Sequence, residues 1–542
     1  LDVSALKLTR ASWAIALTGI AVVGLALRLH GIHDPMLDHP GWRQGDTAAI
    51  ARNFARLQFD IMYPQTMYNG PPPNYVELEL QVVPFLAATL YKIFGIHEIF
   101  GRLLTLTFSV ATVVTLGYFG RWLFSSALAG LAAAFFYAVF PGSVYYGRTF
   151  MPDAAMVFFL TAALFATARY LVDDERLSVR GALAPGALLT LAYLAKPVAV
   201  LALLPLGAII ARRVLARRPA NAPVVAALVI LPLVVLALYD RRIASYAEWH
   251  WASGITRLHV LPALVHAFGS ASGFLLKAGD VRVALGALRA SMLGNLSFGL
   301  AIASFAALPW ISARSRTLLW CWLLGGLFYV FVVVSVERVD YYMLPLLPLC
   351  ALSIGGALAR YAHGVANADV AAGPRYALLA LVPLVAFGAL LGSRAPVAAY
   401  YRFNRQAYRD AVDLNHRLPA NALVVIGHYG PDVQYYIDRF GWEEDPMLWT
   451  PFDEESAISK GARYFISIED SRLRHNLELC AWLQRFPLLD GRALWPVYQT
   501  DPAKMLPGAD RFWREYRAAA RAGSGRAFLD AHGRCRLTAA AR

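Results

Sequence analysis

Residues 31–79, GIHDPMLDHPGWRQGDTAAIARNFARLQFDIMYPQTMYNGPPPNYVELE, decide how the rest of the chain is read. This polar stretch follows a long apolar run, and most of what comes after it is oily. It gathers Asp34, Asp38, His39, Arg43, Asp46 and Arg52. Charged side chains next to a membrane span need water, partners or a function. Upstream, Ala11 to Leu29 is a run of roughly 19 residues with no charge before Arg28, long enough to cross a bilayer. Further runs follow it in place of a small-residue cleavage site, so it reads as a signal anchor and not as a cleaved leader.

Composition points the same way. Hydrophobic residues make up 58% and charged residues 16%, where a soluble domain carries about 25% charged; the mean hydropathy is +0.47. Apolar runs centred near residues 20, 111, 136, 163, 188, 205, 231, 301, 326, 350 and 384 predict about eleven transmembrane helices. With Lys7 and Arg10 on the cytoplasmic side, an odd number leaves the C-terminus outside. Residues 80–95, LQVVPFLAATLYKIFG, are apolar but short, interrupted by Pro84 and flanked by Glu77, Glu79, Lys92 and Glu98. They are expected to lie along, or dip into, the outer surface. That placement puts Arg121, Arg176, Arg180, Arg212, Arg213, Arg217, Arg218, Arg314, Arg316, Arg360 and Arg375 inside together, as the positive-inside rule requires. It also puts Asp46, Asp153, Lys196, Arg257 and Asp340 outside together.

The net charge of +14 does not indicate nucleic acid. Many of the arginines sit in short loops between spans, as in ARRVLARRP (211–219) and SARSR (312–316). Residues 240–288 read as a long outer loop in which Tyr246, Trp249 and Trp251 suit anchoring at headgroup depth. From Arg394 the character changes, and the tail carries 21 Lys+Arg and 18 Asp+Glu. NALVVIGHYG, PDVQYYIDRFG and GARYFISIED read as strand, helix and strand, a small α/β layer. GHYGP lacks the spacing of a dinucleotide-binding turn. The expected organisation is a membrane domain over 1–393 and a soluble α/β domain over 394–542. Of the four cysteines, Cys321 and Cys350 lie in apolar runs. Cys480 and Cys535 lie in the tail, where a periplasmic location would allow a bridge.

Asp46 is the leading candidate for chemistry. In HPGWRQGDTAAIARNF, Gly41 and Gly45 permit a tight turn, and Asp46 and Thr47 then stand as cap candidates for a helix. A carboxylate there can equally act as a general base toward a hydroxyl that attacks an activated carbon. Asp153, in YYGRTFMPDAAMVFF, opens a span on the same side, and capping after Pro152 is its plain structural role. Glu77 and Glu79 close the first loop. Three acidic positions converging on one surface, Asp153 and these two glutamates, could hold a divalent cation through oxygen ligands, although no His or Cys pair sits at metal-ligand spacing. Lys196, in LAYLAKPVAVLALLP, is costly among apolar residues unless it meets water or an anion, and its Lys-Pro step marks a turn. With Arg257 it could bind a phosphate, although an exposed loop charge explains Arg257 equally well. SVERVDYYMLPLLPL sets Glu337, Arg338, Asp340, Tyr341 and Tyr342 at the head of a span, as a local ion network, as interface anchors, or as the lining of a sugar or phosphate pocket.

HPGWRQGDTAAIARNF, GRTFMPDAAMVFF and DYYMLPLLP together resemble the GT-C glycosyltransferases, in the branch of bacterial proteins similar to protein mannosyltransferases and the lipid A aminoarabinose transferase. The likeness runs over about residues 11–360 and fades in the tail. It implies a polyprenyl-phosphate-linked sugar donor and transfer on the periplasmic face of the bacterial inner membrane. It also implies catalytic roles for Asp46 and Asp153, and donor-phosphate contacts at Lys196 and, more loosely, Arg257. His39, Arg43, Glu77, Glu79, Asp340, Tyr341 and Tyr342 are carried as substrate-binding candidates. Many relatives place Asp-Glu in the first loop where this chain has Asp46-Thr47, so any duty of the second acid passes to Glu77, Glu79 or Asp153. The expected activity is inverting sugar transfer to a hydroxyl of an envelope glycan, lipopolysaccharide, a lipid or a protein. A lipid flippase is the rival reading. It predicts paired charges near the midplane and internal repeats, whereas the polar residues here collect at one face.

Overall fold

Inside a bilayer only backbone that satisfies its own amides is tolerated, and the apolar runs accordingly fold as helices. The computed structural model describes residues 9–216, 218, 221–248, 255–308, 313–369, 371–489 and 495–535, with backbone alone for 255–257 and 313–315. Helices α1 (Arg10–Arg28), α2 (Gly41–Arg56), α3 (Val82–Phe94), α4 (Ile99–Phe124), α5 (Ala127–Val139), α6 (Pro141–Tyr146), α7 (Asp153–Asp173) and α8 (Val179–Ala195) open the chain. Each apolar centre read from the sequence falls inside a helix.

Among the described residues, eight helices are long and apolar enough to cross a bilayer. There is a ninth span if Ala271–Leu293 and Asn295–Ala306, which meet at 114°, form one broken crossing. The runs near 136 and 188 fold as the shorter helices α5 and α8, of 13 and 17 residues. Pro141 ends α5: Phe140, the residue before it, takes ψ 128°, the extended backbone that a following proline imposes. Helix α3 is also 13 residues. That is about 20 Å against a hydrocarbon core of about 30 Å.

The chain divides into two compact units, Leu1–His33 with Glu77–Tyr401, and Asp34–Val76 with Arg402–Arg542. In the first, helices associate through small residues, as they must where lipid offers no hydrophobic driving force. A Cβ on Gly355 would stand 2.5 Å from the Ala129 carbonyl oxygen of α5. Buried arginines tie the unit together. Arg28 donates to Ser109 Oγ at 2.8 Å, to Ser143 Oγ at 2.6 Å, and to the Gly24 and Ala138 carbonyls at 2.8 and 3.0 Å. Partners of this kind are what make a buried guanidinium tolerable. Arg148 donates to the Gly31 carbonyl at 3.0 Å, and Arg102 donates to the same oxygen.

The second unit holds a four-stranded sheet in the order β2-β1-β3-β4, from β1 (Leu423–Gly427), β2 (Gly441–Glu444), β3 (Ala462–Ile466) and β4 (Val497–Tyr498). Strand β1 runs parallel to β2 and β3, and β4 is antiparallel to β3. The expected strand, helix and strand are β1, Pro431–Ile437 and β3. Val425, Phe465, Leu479, Trp482 and Tyr498 form the core beneath the sheet.

Cys480 and Cys535 are joined by a disulfide with their Cα atoms 6.1 Å apart, closing a sequence separation of 55 residues. A loop of that length gives about 4 kcal/mol in the chain-entropy account. Reductant, or Cys535→Ser, should therefore lower the unfolding temperature of this unit, read by calorimetry; an unchanged transition would remove the bridge as a stabilising element.

Glu454 lies on the Pro451–Ser459 helix, which starts with a Thr450–Asp453 capping box. It is fully buried and takes the Trp449 indole N–H at 2.8 Å. Burial pushes its carboxyl up to about 8, against hydrogen bonds from Trp449 and Thr500 that pull it down. A raised carboxyl means the unfolded chain ionises first, so stability falls as pH rises from the ordinary carboxylate range toward pH 8. Glu454→Gln, an uncharged isostere, should flatten that part of a pH series of melting curves, and a series as steep as the wild type would refute the assignment.

Candidate active site

In the first unit, segments far apart in sequence meet around Lys196. Helix α8 ends at Ala195, Lys196 is extended (φ −165°, ψ 117°), and a 3₁₀ turn begins at Pro197. Proline cannot donate to the helix it follows, so the Lys-Pro step breaks the run. Asp153 is the first residue of α7 after Pro152, but its carboxylate does not cap that helix. It accepts instead from Lys196 Nζ at 2.6 Å, and both residues are buried. The ammonium also lies 4.8 and 4.6 Å from the ring centres of Tyr341 and Tyr342, within cation–π range.

Asp340 starts the 3₁₀ segment that carries those tyrosines. Its carboxylate accepts from the hydroxyls of Tyr146 at 2.6 Å, Tyr400 at 2.5 Å and Ser291 at 3.4 Å. Tyr146 packs edge-on against Tyr341, with centroids 5.9 Å apart. Glu77 and Glu79 are half-buried on the segment entering α3. That segment is held where Leu80 N–H donates to the Leu194 carbonyl at 2.9 Å and Tyr239 donates to the Leu78 carbonyl at 2.9 Å. Burial and then the nearby Asp240 raise the carboxyl of Glu77. Arg338 and Glu337 pair away from this centre, with Asp280 at 2.6 Å and His259 at 2.9 Å. The side chain of Arg257 lies outside the described residues, as do Trp249 and Trp251.

The second unit holds His39, Arg43 and Asp46. Asp46 is not a helix cap: α2 starts at Gly41, with Pro40 as its N-cap residue. The expected turn at Gly41 and Gly45 is replaced by helix for a steric reason. A Cβ on Gly41 would lie 2.4 Å from Asp432 Oδ2, and one on Gly45 would lie 2.5 Å from Asp432 Cα. The glycines thus let the Pro431–Ile437 helix press directly onto α2. Thr47 donates to the Arg43 carbonyl at 2.7 Å, as a mid-helix threonine does. Asp46 is 1% exposed, stands 3.8 Å from Arg43 Nη1, and lies near the Tyr68 hydroxyl. Burial first, and then the charges of Asp46 and Glu443, hold the Tyr68 hydroxyl well above its usual range, so it stays a donor. His39 is exposed, and its carbonyl accepts from Gln44.

Tyr68, Asp432, Glu443, Tyr146 and Tyr400 carried no mark in the sequence. The Tyr pairs at 145–146 and 400–401 repeat the pair at 341–342, and that doubling is the one signal that could have drawn attention to them. Among the described residues, no three His, Cys, Asp or Glu side chains are placed to share a metal ion.

Residues 81–239 match the family profile described as dolichyl-phosphate-mannose-protein mannosyltransferase. No curated protein matches the sequence significantly. The structure resembles the archaeal oligosaccharyltransferase AglB from Archaeoglobus fulgidus, solved with an inhibitory peptide and a dolichol-phosphate, with a TM-score of 0.59 and 14% identity over 91% of this chain and 75% of that one. It also resembles ArnT from Cupriavidus metallidurans bound to undecaprenyl phosphate, with a TM-score of 0.59 and 13% identity over 92% of this chain and 100% of that one. Apo ArnT from the same organism gives a TM-score of 0.53 at 14% identity, over 92% and 99% of the two chains. Likeness at this level of identity is likeness of fold.

Proposed function

We propose that this polytopic membrane chain, which has the fold of the GT-C glycosyltransferases, is an inverting glycosyltransferase. Its donor is a sugar linked to polyprenyl phosphate, and its acceptor is a hydroxyl on an envelope glycan, a lipid or a protein. The observation that carries the reading is Lys196, a buried ammonium held by a carboxylate oxygen of Asp153 at 2.6 Å and faced by two tyrosine rings. A cation placed so is suited to an arriving phosphate, whose charge it stabilises as a point charge.

In the proposed reaction Asp46 takes the proton of the acceptor hydroxyl. The oxygen attacks the anomeric carbon from the face opposite the phosphate. The bond from that carbon to the phosphate oxygen breaks, its electron pair stays on the leaving phosphate, and one displacement inverts the centre. Lys196 stabilises the charge that builds on the phosphate, the cationic-clamp role in transition-state stabilisation. Asp153 sets the position of Lys196, and Asp340, fixed by three hydroxyls, orients Tyr146 and Tyr400. Glu77 and Glu79 are assigned to the substrate as hydrogen-bond acceptors, with His39 and Arg43 as further contacts. The distribution of arginines between loops supports a cytoplasmic N-terminus and a periplasmic C-terminal domain in the bacterial inner membrane. Incubating the purified chain with radiolabelled polyprenyl-phosphate sugars and an envelope extract should release polyprenyl phosphate and label the extract. A chain that moves label across liposomes without cleaving the donor would be a transporter.

A further inference from the structure

The Ala271–Ala287 helix of the first unit is apolar on the outside and charged within. Its outer side chains Phe274, Leu275, Leu276 and Val283 are between 49% and 71% exposed, as suits a helix surrounded by lipid. The seam by which it packs carries Gly273, Lys277 and Ala284, at the four- and seven-residue spacing of one helix face. Lys277 is 4% exposed, and its Nζ finds no hydrogen-bond partner among the described residues. The ammonium lies 5.5 Å from the ring centre of Phe331. An ionisable side chain inside a membrane bundle marks a partner or a pathway, and a buried charge without its counter-charge is strongly destabilising.

The carboxylates at hand are turned to other donors. Asp280 stands three residues on from Lys277, a neighbour on the same helix face, and accepts from Arg338 Nη2 at 2.6 Å. Glu337 meets His259 Nδ1 at 2.9 Å. Lys277 is the charge left over. The backbone around it is irregular in a way that ordinary packing does not demand. Phe331 lies on a π turn, Val330–Val334, and a second, Leu288–Leu293, follows the lysine's own helix; such turns are frequent at functional sites. Arg338 is left-handed, with φ 54°, a strained conformation for a residue with a Cβ that likewise clusters at ligand sites. Its side chain is 64% exposed.

We propose that Lys277 and Arg338 form a site for the phosphate of an anionic membrane phospholipid, separate from the Lys196 centre. Arg338 offers the first contact at the exposed edge, where a guanidinium carries five N–H donors and keeps some free of Asp280. Lys277 follows on its flexible stem, and a charge-assisted hydrogen bond to the phosphate supplies the partner it lacks. The apolar face selects a lipid over a free anion. Leu275 and Leu276 immediately precede the lysine and are 71% and 65% exposed, so acyl chains gain contact there that an inorganic ion leaves unused. The two cationic groups select the headgroup: a phosphodiester with no cation of its own, such as phosphatidylglycerol, complements them better than a choline head does.

The test reads melting temperature of the full chain in detergent after removal of lipid, for wild type and Lys277→Met. Without lipid, Lys277→Met should melt above wild type, because it takes away a buried charge that nothing offsets. Phosphatidylglycerol should then raise the wild type by roughly 2 °C or more and leave Lys277→Met in place, while phosphatidylcholine and inorganic phosphate at equal concentration do far less. Equal shifts in both proteins, or no shift in the wild type, would overturn the site. Inorganic phosphate matching the lipid would overturn the lipid assignment. A response to polyprenyl phosphate alone would give Lys277 to the sugar donor and overturn a separate site. If Lys277→Met does not fold, Arg338→Gln at its exposed position decides: it should lose most of the lipid shift, and a full shift there refutes the proposal. None of these readouts needs sugar transfer, so the site stands or falls apart from the proposed reaction.

Discussion

Asp46→Asn is expected to cut sugar transfer by about 10³-fold, the middle of the range for loss of a general base, while the protein remains folded. The expectation follows from where the side chain sits. Asp46 is inside α2 and caps nothing, so the amide costs the helix no terminal hydrogen bond. Arg43 at 3.8 Å is too far for a direct hydrogen bond to be lost. What disappears is the capacity to take a proton. Donor affinity, read by binding of a labelled polyprenyl-phosphate sugar, should stay within a few-fold of wild type, so the loss should appear in kcat. A variant that turns over within tenfold of wild type would remove Asp46 as the base.

Much of the architecture was legible because bilayers impose a coarse rule. A run of about 20 apolar residues folds as a helix whatever its partners, and every run picked out this way is helical. Where runs are short, length alone does not separate a crossing from a buried or surface helix, which is why α3, α5 and α8 resist counting. In the tail, β1 and β3 are β-branched or aromatic and were readable. Strand β2, Gly-Trp-Glu-Glu, and the two-residue β4 lack any such pattern and owe their existence to neighbours. The start of α2 was misplaced because glycine has two uses. Gly41 and Gly45 suggest a turn from their backbone freedom, and they serve instead by having no Cβ where Asp432 presses in. The surroundings of Asp46 were invisible for a related reason: Glu443 and Asp432 lie nearly 400 residues downstream, and only the folded chain brings them to it. The same holds for Asp340, whose tyrosine partners come from α6 and from the end of the last apolar run.

Lys196 offers the sharper separation of structure from chemistry, because its partner is known. Removing the ammonium alone, as in Lys196→Gln, leaves Asp153 buried without its counter-charge, and breaking a buried pair on one side typically costs about 3–5 kcal/mol. Such a variant should melt at lower temperature and should also lose transfer by about 10²–10³-fold, the loss seen when one transition-state charge contact is deleted. Alone it would prove little, since a loosened protein is also a poor enzyme. Lys196→Gln with Asp153→Asn resolves the ambiguity. With both charges gone no uncompensated charge is left buried, and replacing both members of a buried pair by uncharged residues is often nearly neutral for stability. The double variant should therefore recover most of the lost melting temperature in detergent while transfer stays low, because the Lys196 ammonium no longer meets the departing phosphate. If transfer returns along with stability, the Lys196–Asp153 pair is scaffolding and the phosphate is held elsewhere. If stability returns and transfer does not, the pair's charge is required by the reaction and not by the fold.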